Sequence, residues 1–188
     1  MYEEKDFSHL LGMEGFSEGM LKDHFKLYNG YVKNTNELMK TLKVMTNNCM
    51  EFSELRRRFG WEFNGMRLHE LYFGNLVKGG KKLNEESKIG KKIIESFDNL
   101  GEWECDFRAS ASMRGIGWVI LAYDPVGDKL FNVWVDEHDG GILAGAVPLL
   151  VMDVFEHAFI KDYGLGKRAY LESFLKNINW EEVEKRLL

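Results

Sequence analysis

The spacing of apolar residues changes character halfway along this chain, and that change constrains its fold more than any other feature. From Ser17 onward, apolar and aromatic residues recur at Leu21, Phe25, Tyr28, Val32, Leu38, Leu42 and Met45, close to the three-and-four spacing that lines one face of an amphipathic helix. Ser17 followed by Glu18 is a good helix start. A second helical stretch, residues 52–76, carries Leu55, Phe59, Phe63, Met66 and Phe73 among charged residues and follows a short turn at Asn47-Asn48. Two long helices joined by a short turn predict an antiparallel hairpin. Lys78-Gly79-Gly80-Lys81-Lys82 lacks apolar anchors, so a domain boundary is expected there, dividing the chain into 1–80 and 81–188.

The second half reads differently. Residues 85–97 and 100–112 are expected to be helical, and Gly115-Ile116-Gly117 ends that pattern. Trp118-Val119-Ile120-Leu121-Ala122-Tyr123 is a strand-like run that stops at Asp124-Pro125-Val126-Gly127-Asp128, whose composition suits a hairpin turn. Residues 130–135 answer as a second strand. Residues 147–152 form a third apolar run, with glycines before it and charged residues after it, as a buried strand would be. The tail, 167–188, reads as helix interrupted near Asn177-Ile178-Asn179. The expected fold is α+β: a long helical hairpin domain, then an α/β domain with a three-stranded antiparallel sheet.

Composition narrows the classes. At 188 residues and 45% hydrophobic, the chain is long enough to build a core without disulfide staples. Cys49 and Cys105 are too few for a disulfide framework and read as reduced thiols of a cytoplasmic protein. Glu3, Glu4, Lys5 and Asp6 stand where a signal peptide needs apolar residues. No run approaches the ~20 apolar residues that span a bilayer. A net charge of -5 offers no global basic field for a nucleic acid.

Histidine is scarce, at five residues. His24 lies mid-face on the first helix, with Tyr28 and Tyr31 one and two turns later; His69 lies on the second, with Phe73 at i+4. A lone histidine in such company is more often a hydrogen-bonded core residue than a ligand. Asp153-Val154-Phe155-Glu156-His157 follows the buried apolar run directly. A carboxylate there needs a metal, a basic partner or several donors, although the default reading of Asp153 taken alone is an N-cap for the following turn. The i, i+4 spacing brings Asp153 and His157 together if the stretch turns helically. Three histidines and an aspartate make a nitrogen and oxygen donor set suited to iron, manganese or zinc, with room for a bound water.

The pattern Tyr31-Val32-Lys33-Asn34-Thr35-Asn36, His69 with Phe73 and Asn75-Leu76, Gly115-Ile116-Gly117-Trp118, Asp153-Val154-Phe155-Glu156-His157-Ala158-Phe159 and Asn179-Trp180 resembles the iron/manganese superoxide dismutase family from about Phe16 to the C-terminus. The Asp153 to Phe159 segment is the most specific of these. The resemblance implies that His24, His69, Asp153 and His157 ligate one metal ion per subunit, between the two domains, with a water or hydroxide completing a trigonal bipyramid. It implies the disproportionation of superoxide to dioxygen and hydrogen peroxide by a metal alternating between +3 and +2. Tyr31 resembles the family's gateway tyrosine, and Trp118 its active-site tryptophan. Phe73 and Phe155 stand where tryptophans are usual.

The departures are informative. Most relatives have one more residue between the first histidine and the gateway tyrosine, so a shorter helix or a missing bulge is expected here. The family's glutamine that bonds the metal-bound solvent is absent: its helical position is Gly65, and its hairpin-end position is His138. Some iron and metal-flexible members carry histidine there, which makes His138 the candidate donor to the solvent and favours iron over manganese; the alternative is an exposed loop histidine beside Glu137 and Asp139. An interface histidine and tyrosine of the family are replaced by Leu27 and Ile160, which suggests an apolar contact. Glu156 is retained, and in the family it crosses a homodimer to the last histidine ligand of the other subunit, so a homodimer or homotetramer is expected. Lys26, Lys33, Lys161 and Lys167 are candidates to steer the anionic substrate. A zinc hydrolase, a di-iron carboxylate protein and a metal-free assembly subunit are the competing classes. The first lacks an additional base near the ligands, the second lacks paired Glu-x-x-His motifs, and the third is at odds with four retained ligands.

Overall fold

The first long helix, α1 (Glu18–Val44), starts where Ser17 Oγ accepts the Met20 N–H at 3.1 Å, the bond that satisfies an otherwise orphaned donor at a helix N-terminus. In the computed structural model, which describes residues 1–47 and 49–187, this helix runs without interruption. It carries no local bulge before Tyr31, one of the two outcomes expected from the residue missing between His24 and Tyr31. The second helix, α2 (Met50–Gly74), begins two residues earlier than its periodicity predicts because Cys49 Sγ caps Phe52 N. It ends at Gly74 because Asn75 folds back: its N–H bonds the Leu71 carbonyl, and its side-chain amide donates to the Tyr72 carbonyl. The expected turn at Asn47-Asn48 lies partly outside the described residues. Tyr28 bonds Glu70 and Asn34 bonds Glu62, so residues advance along α1 as they recede along α2, and the pair is antiparallel.

Two shorter helices follow, α3 (Lys88–Phe97) and α4 (Leu100–Ala111). The first starts three residues later than expected because Asn84 Oδ1 accepts from Glu86 N and Ser87 Oγ caps Gly90 N, which makes a turn of 84–87. Strands β1 (Gly117–Asp124), β2 (Lys129–Asp136) and β3 (Val147–Asp153) form an antiparallel sheet in the order β2-β1-β3. Central β1 is buried almost throughout, whereas edge strand β2 is only partly covered. Trp118 pairs with Val135 on one side and Asp153 on the other, so the two ends that carry chemistry are adjacent in register.

The chain closes with a 3-10 turn (Glu156–Ala158) and helices α5 (Ile160–Tyr163), α6 (Lys167–Lys176) and α7 (Trp180–Lys185). The expected interruption at 177–179 occurs because this backbone is used elsewhere. Asn177 O accepts from Val77 N, and Asn179 N donates to Asn75 O, tying the tail to the end of α2. One continuous core runs from Tyr28 and Met66 through Trp118 and Val151 to Phe174. No described helix is long and apolar enough to cross a membrane.

Candidate metal centre

Helical geometry places Leu21, His24, Tyr28 and Tyr31 on the buried face of α1, and Gly65, His69 and Phe73 on the facing side of α2. The end of β3 delivers Asp153 between them. Its Oδ2 lies 3.1 Å from His24 Nε2, 3.1 Å from His157 Nε2 and 3.7 Å from His69 Nε2, and one donor atom from each of the four residues lies within 4.8 Å of the others. The convergence of Asp153 and His157 is not helical, contrary to the condition set by their spacing. Asp153 closes a strand, Phe155 is extended, and a 3-10 turn carries His157 back. Asp153 also performs the capping role that it was expected to share: its Oδ1 accepts the Phe155 N–H at 2.8 Å.

His69 tests whether a metal fits. Its Nδ1 lies 2.5 Å from the Gly65 carbonyl, which assigns the ring proton to Nδ1 and leaves a lone pair on Nε2. That Nε2 is fully buried and has no hydrogen-bond partner, a costly arrangement for a polar atom. It points at the carboxylate and two further imidazoles, and a cation accepting all four donors removes the cost. The residues therefore fit one metal ion. Burial acts to raise the Asp153 carboxyl, yet His157 and His24 beside it hold it well below the usual carboxylate range. Burial pushes His24 down despite the opposing Asp153, and it pushes His69 down further, aided by His24. These shifts keep His24 and His69 neutral and the aspartate charged, as ligation requires.

Around the cluster stands an aromatic wall. Phe73 packs edge-on to His24 with centroids 4.9 Å apart, Trp118 edge-on to His69 at 5.0 Å, and Phe155 stacks on His157 at 5.1 Å. Tyr170 Oη donates to the Asp153 carbonyl at 2.8 Å and pairs with Tyr72 Oη, fixing the strand end from behind.

Tyr31, His138 and Trp118 form a chain. Trp118 Nε1–H donates to His138 Nδ1 at 3.0 Å, which assigns the His138 proton to Nε2, 2.8 Å from Tyr31 Oη. His138 is fully buried, so the exposed-loop alternative does not hold. Burial pushes its imidazole down to about 4 and, with Asp153 and Glu62 nearby, pushes the Tyr31 phenol up. Gly65 has a positive reason to be glycine: a Cβ there would lie 2.6 Å from the Tyr31 ring, so its bare backbone gives the tyrosine its place. The Tyr31 ring stacks on His69 at 5.1 Å.

Two features escaped the sequence. Trp61, eight residues before His69, covers His138 with centroids 4.4 Å apart, and Arg58 lies over the Trp61 ring at 4.0 Å. The steering lysines fare worse. Lys161 bonds Asp23 at 2.8 Å, and Lys26 lies 3.7 Å from the same carboxylate. Lys167 is half-buried, donating to the Met113 carbonyl. Lys33 alone of the four stands exposed without an ion pair among the described residues. The buried Glu62 and Glu70 are engaged by Arg58 and by Lys5 with Arg67 respectively, so neither is a spare base for a hydrolase.

The ligand side is open at one edge. The His157 side chain is 30% exposed, Glu156 beside it is exposed, and Leu27 and Ile160 are 37% and 44% exposed.

Comparison with known proteins agrees with this geometry. A family model described as "Iron/manganese superoxide dismutases, C-terminal domain" matches residues 85–186. "Superoxide dismutase [Fe]" of Aquifex pyrophilus is 35% identical over 98% of this chain and 90% of its own. "Superoxide dismutase [Fe]" of Cupriavidus metallidurans is 33% identical over 93% and 89%. "Superoxide dismutase [Mn/Fe]" of Aeropyrum pernix is 30% identical over 90% and 81%. With helical hairpin, three-stranded sheet and a three-histidine, one-aspartate cluster between them, the chain belongs to the iron/manganese superoxide dismutase family.

Proposed function

We propose that this chain dismutates superoxide at one iron or manganese ion held by His24, His69, Asp153 and His157. The observation that carries the reading is the convergence of four donors within 4.8 Å, one of them the buried and unpartnered His69 Nε2. The bound ion supplies a one-electron couple that oxidises one superoxide to dioxygen and reduces a second to hydrogen peroxide as two protons are taken up. Asp153 contributes the negative charge that favours the oxidised ion. Tyr31 and His138 handle the proton: with the His138 Nε2–H given to Tyr31 Oη, the phenol O–H is free to donate toward the substrate, and Trp118 keeps His138 in the tautomer that does this. The aromatic wall excludes bulk water and larger substrates.

Iron is the favoured metal, on the histidine at 138 and the glycine at 65. The working unit is a homodimer or a dimer of dimers, in which Glu156 bonds His157 of a second copy and Leu27 and Ile160 make an apolar contact. The partly exposed His157 and the apolar residues beside it support that arrangement. The two-domain division at 80/81 follows from the flexible composition of residues 78–82. Two free cysteines suit the reducing cytoplasm. Metal analysis of the purified protein, paired with dismutation assayed after reconstitution with iron and with manganese, tests the reading: activity with at least one is expected, and activity with neither rejects it.

A further inference from the structure

The loop after β2 has to turn a histidine into the core between two exposed acidic residues, and its own backbone does only part of that. Pairing with β1 ends at Gly117 and Asp136. Beyond it, Asp136 and Gly140 exchange backbone hydrogen bonds at 2.7 and 3.0 Å, and Glu137 N bonds the Ile116 carbonyl at 3.3 Å. Glu137 has φ 48, a left-handed conformation that disfavours residues with a Cβ. Glycine would suit that backbone better, so the side chain at 137 is retained against the local preference. What it does is visible: Glu137 Oε2 accepts the Trp61 Nε1–H at 2.9 Å, across 76 positions of sequence. Trp61 in turn presses its ring edge-on against His138 at 4.4 Å and lies 5.6 Å from the Tyr31 ring. Its other surface carries Arg58, whose guanidinium is anchored by the buried Glu62.

We propose that Trp61 and Glu137 form a latch between α2 and the β2–β3 loop that positions His138, and through it Tyr31, for catalysis. Neither latch residue touches the ligand cluster; both are positioning residues. The indole N–H fixes the loop, the indole ring fixes the imidazole, and the Arg58–Glu62 pair fixes the indole. Charge-assisted hydrogen bonds of this kind are shorter and stronger than neutral ones, which suits a contact that must hold at the rim. The inference rests on the dismutase reading for its catalytic consequence, but not for its structural one.

The test uses the protein loaded with zinc, which is diamagnetic and takes nitrogen and oxygen donors, and follows the indole N–H signals of its five tryptophans by nuclear magnetic resonance. Trp118 donates to His138 and not to either latch residue, so its signal reports the position of His138 at a distance. Trp61→Phe and Glu137→Ala are each expected to move the Trp118 signal, Trp61→Phe the further because it also changes the ring against His138, and the double variant no further than Trp61→Phe, since the two residues share one bond. Glu137→Gln keeps an acceptor oxygen while removing the charge, and it is expected to leave the signal in place. Dismutation by the iron- or manganese-loaded protein is expected to fall roughly tenfold in the first three variants and to be kept in the fourth. A Trp118 signal unmoved by Trp61→Phe and Glu137→Ala overturns the latch. So does a Glu137→Gln variant that behaves like Glu137→Ala, or a moved signal with dismutation unchanged. If the signals move as expected while the unaltered protein shows no dismutation, the latch stands and the assigned activity falls.

Discussion

The base and the tip of the α1–α2 hairpin are made from the same two helices, yet they are stabilised in different ways. At the base, His24, Tyr28, Tyr31, Met66, His69, Tyr72 and Phe73 are buried, and the N-terminal segment straps over them. Phe7 packs on Phe73 and Tyr28, Lys5 N donates to Tyr28 Oη, and the Lys5 ammonium lies 3.1 Å from Glu70. At the tip, Val44 is 84% and Met50 79% exposed. What holds the tip is local: the helices' own backbone ladders, the Cys49 cap and pairs such as Arg57 with Glu54, each worth only a few tenths of a kcal/mol. The difference shows where this fold concentrates its constraint. Side chains at the base are held by packing, hydrogen bonds and an ion pair from segments distant in sequence, whereas the tip carries large side chains open to solvent.

The largest effect that tests this contrast is loss of the ion. His69→Ala removes a buried donor whose Nε2 has no other partner, and metal content per chain is expected to fall close to zero while circular dichroism still reports a folded, helical protein. Val44→Ala truncates an exposed side chain at the tip and is expected to leave metal content unchanged. Undiminished metal in His69→Ala rejects its role as a ligand.

Acid should separate the two regions next. His138 at the base is held down to about 4 by burial, against about 6.5 when unfolded. Above the unfolded value both states are neutral. As pH falls below it, the unfolded chain takes a proton that the folded chain refuses, so stability is lost between about 6.5 and 4, by on the order of 3 kcal/mol in total. At the other extreme Tyr28, pushed up to about 12 by burial, stays neutral while its unfolded counterpart ionises, and stability is lost again above about 10. Melting temperatures of the native protein and of His138→Gln, compared at pH 7 and 5, check the acid side. The native protein is expected to lose more over that interval, and equal losses refute the assignment.

Much of the fold was legible because periodicity reports which face of an element is buried. It located both long helices, all three strands and the break at 177–179. Boundaries moved by two or three residues wherever a cap outcompeted the pattern, as at Cys49 and Ser87. The site was less legible from residues alone, because its four donors come from three distant segments that only tertiary structure brings together. Family resemblance supplied what spacing did not. It gave no warning of Trp61, whose bond to Glu137 joins two exposed-looking positions with no local signature. Nor did it foresee that Asp23 would neutralise Lys161, since side chains 138 residues apart meet only after folding. Gly65 stands where the resemblance places a glutamine, and in the fold it is the space that Tyr31 occupies.

Two glycines of α2 are expected to respond in opposite ways to the same substitution. Adding a methyl group at Gly65 places it 2.6 Å from the Tyr31 ring, whereas the same addition at Gly60, five residues earlier, meets nothing within 4 Å. Gly65→Ala must therefore displace Tyr31 and is expected to destabilise by about 1–3 kcal/mol, the usual cost of overpacking, and to lower dismutation with it. Gly60→Ala encounters no clash and gains helix propensity, so it is expected to stabilise by about 0.5–1 kcal/mol, with activity intact. Urea unfolding of the two variants side by side reads the contrast directly. Were both to destabilise, the space around Gly60 would be needed for something other than helix formation, and the division between a constrained base and a permissive tip would have to be drawn further along α2.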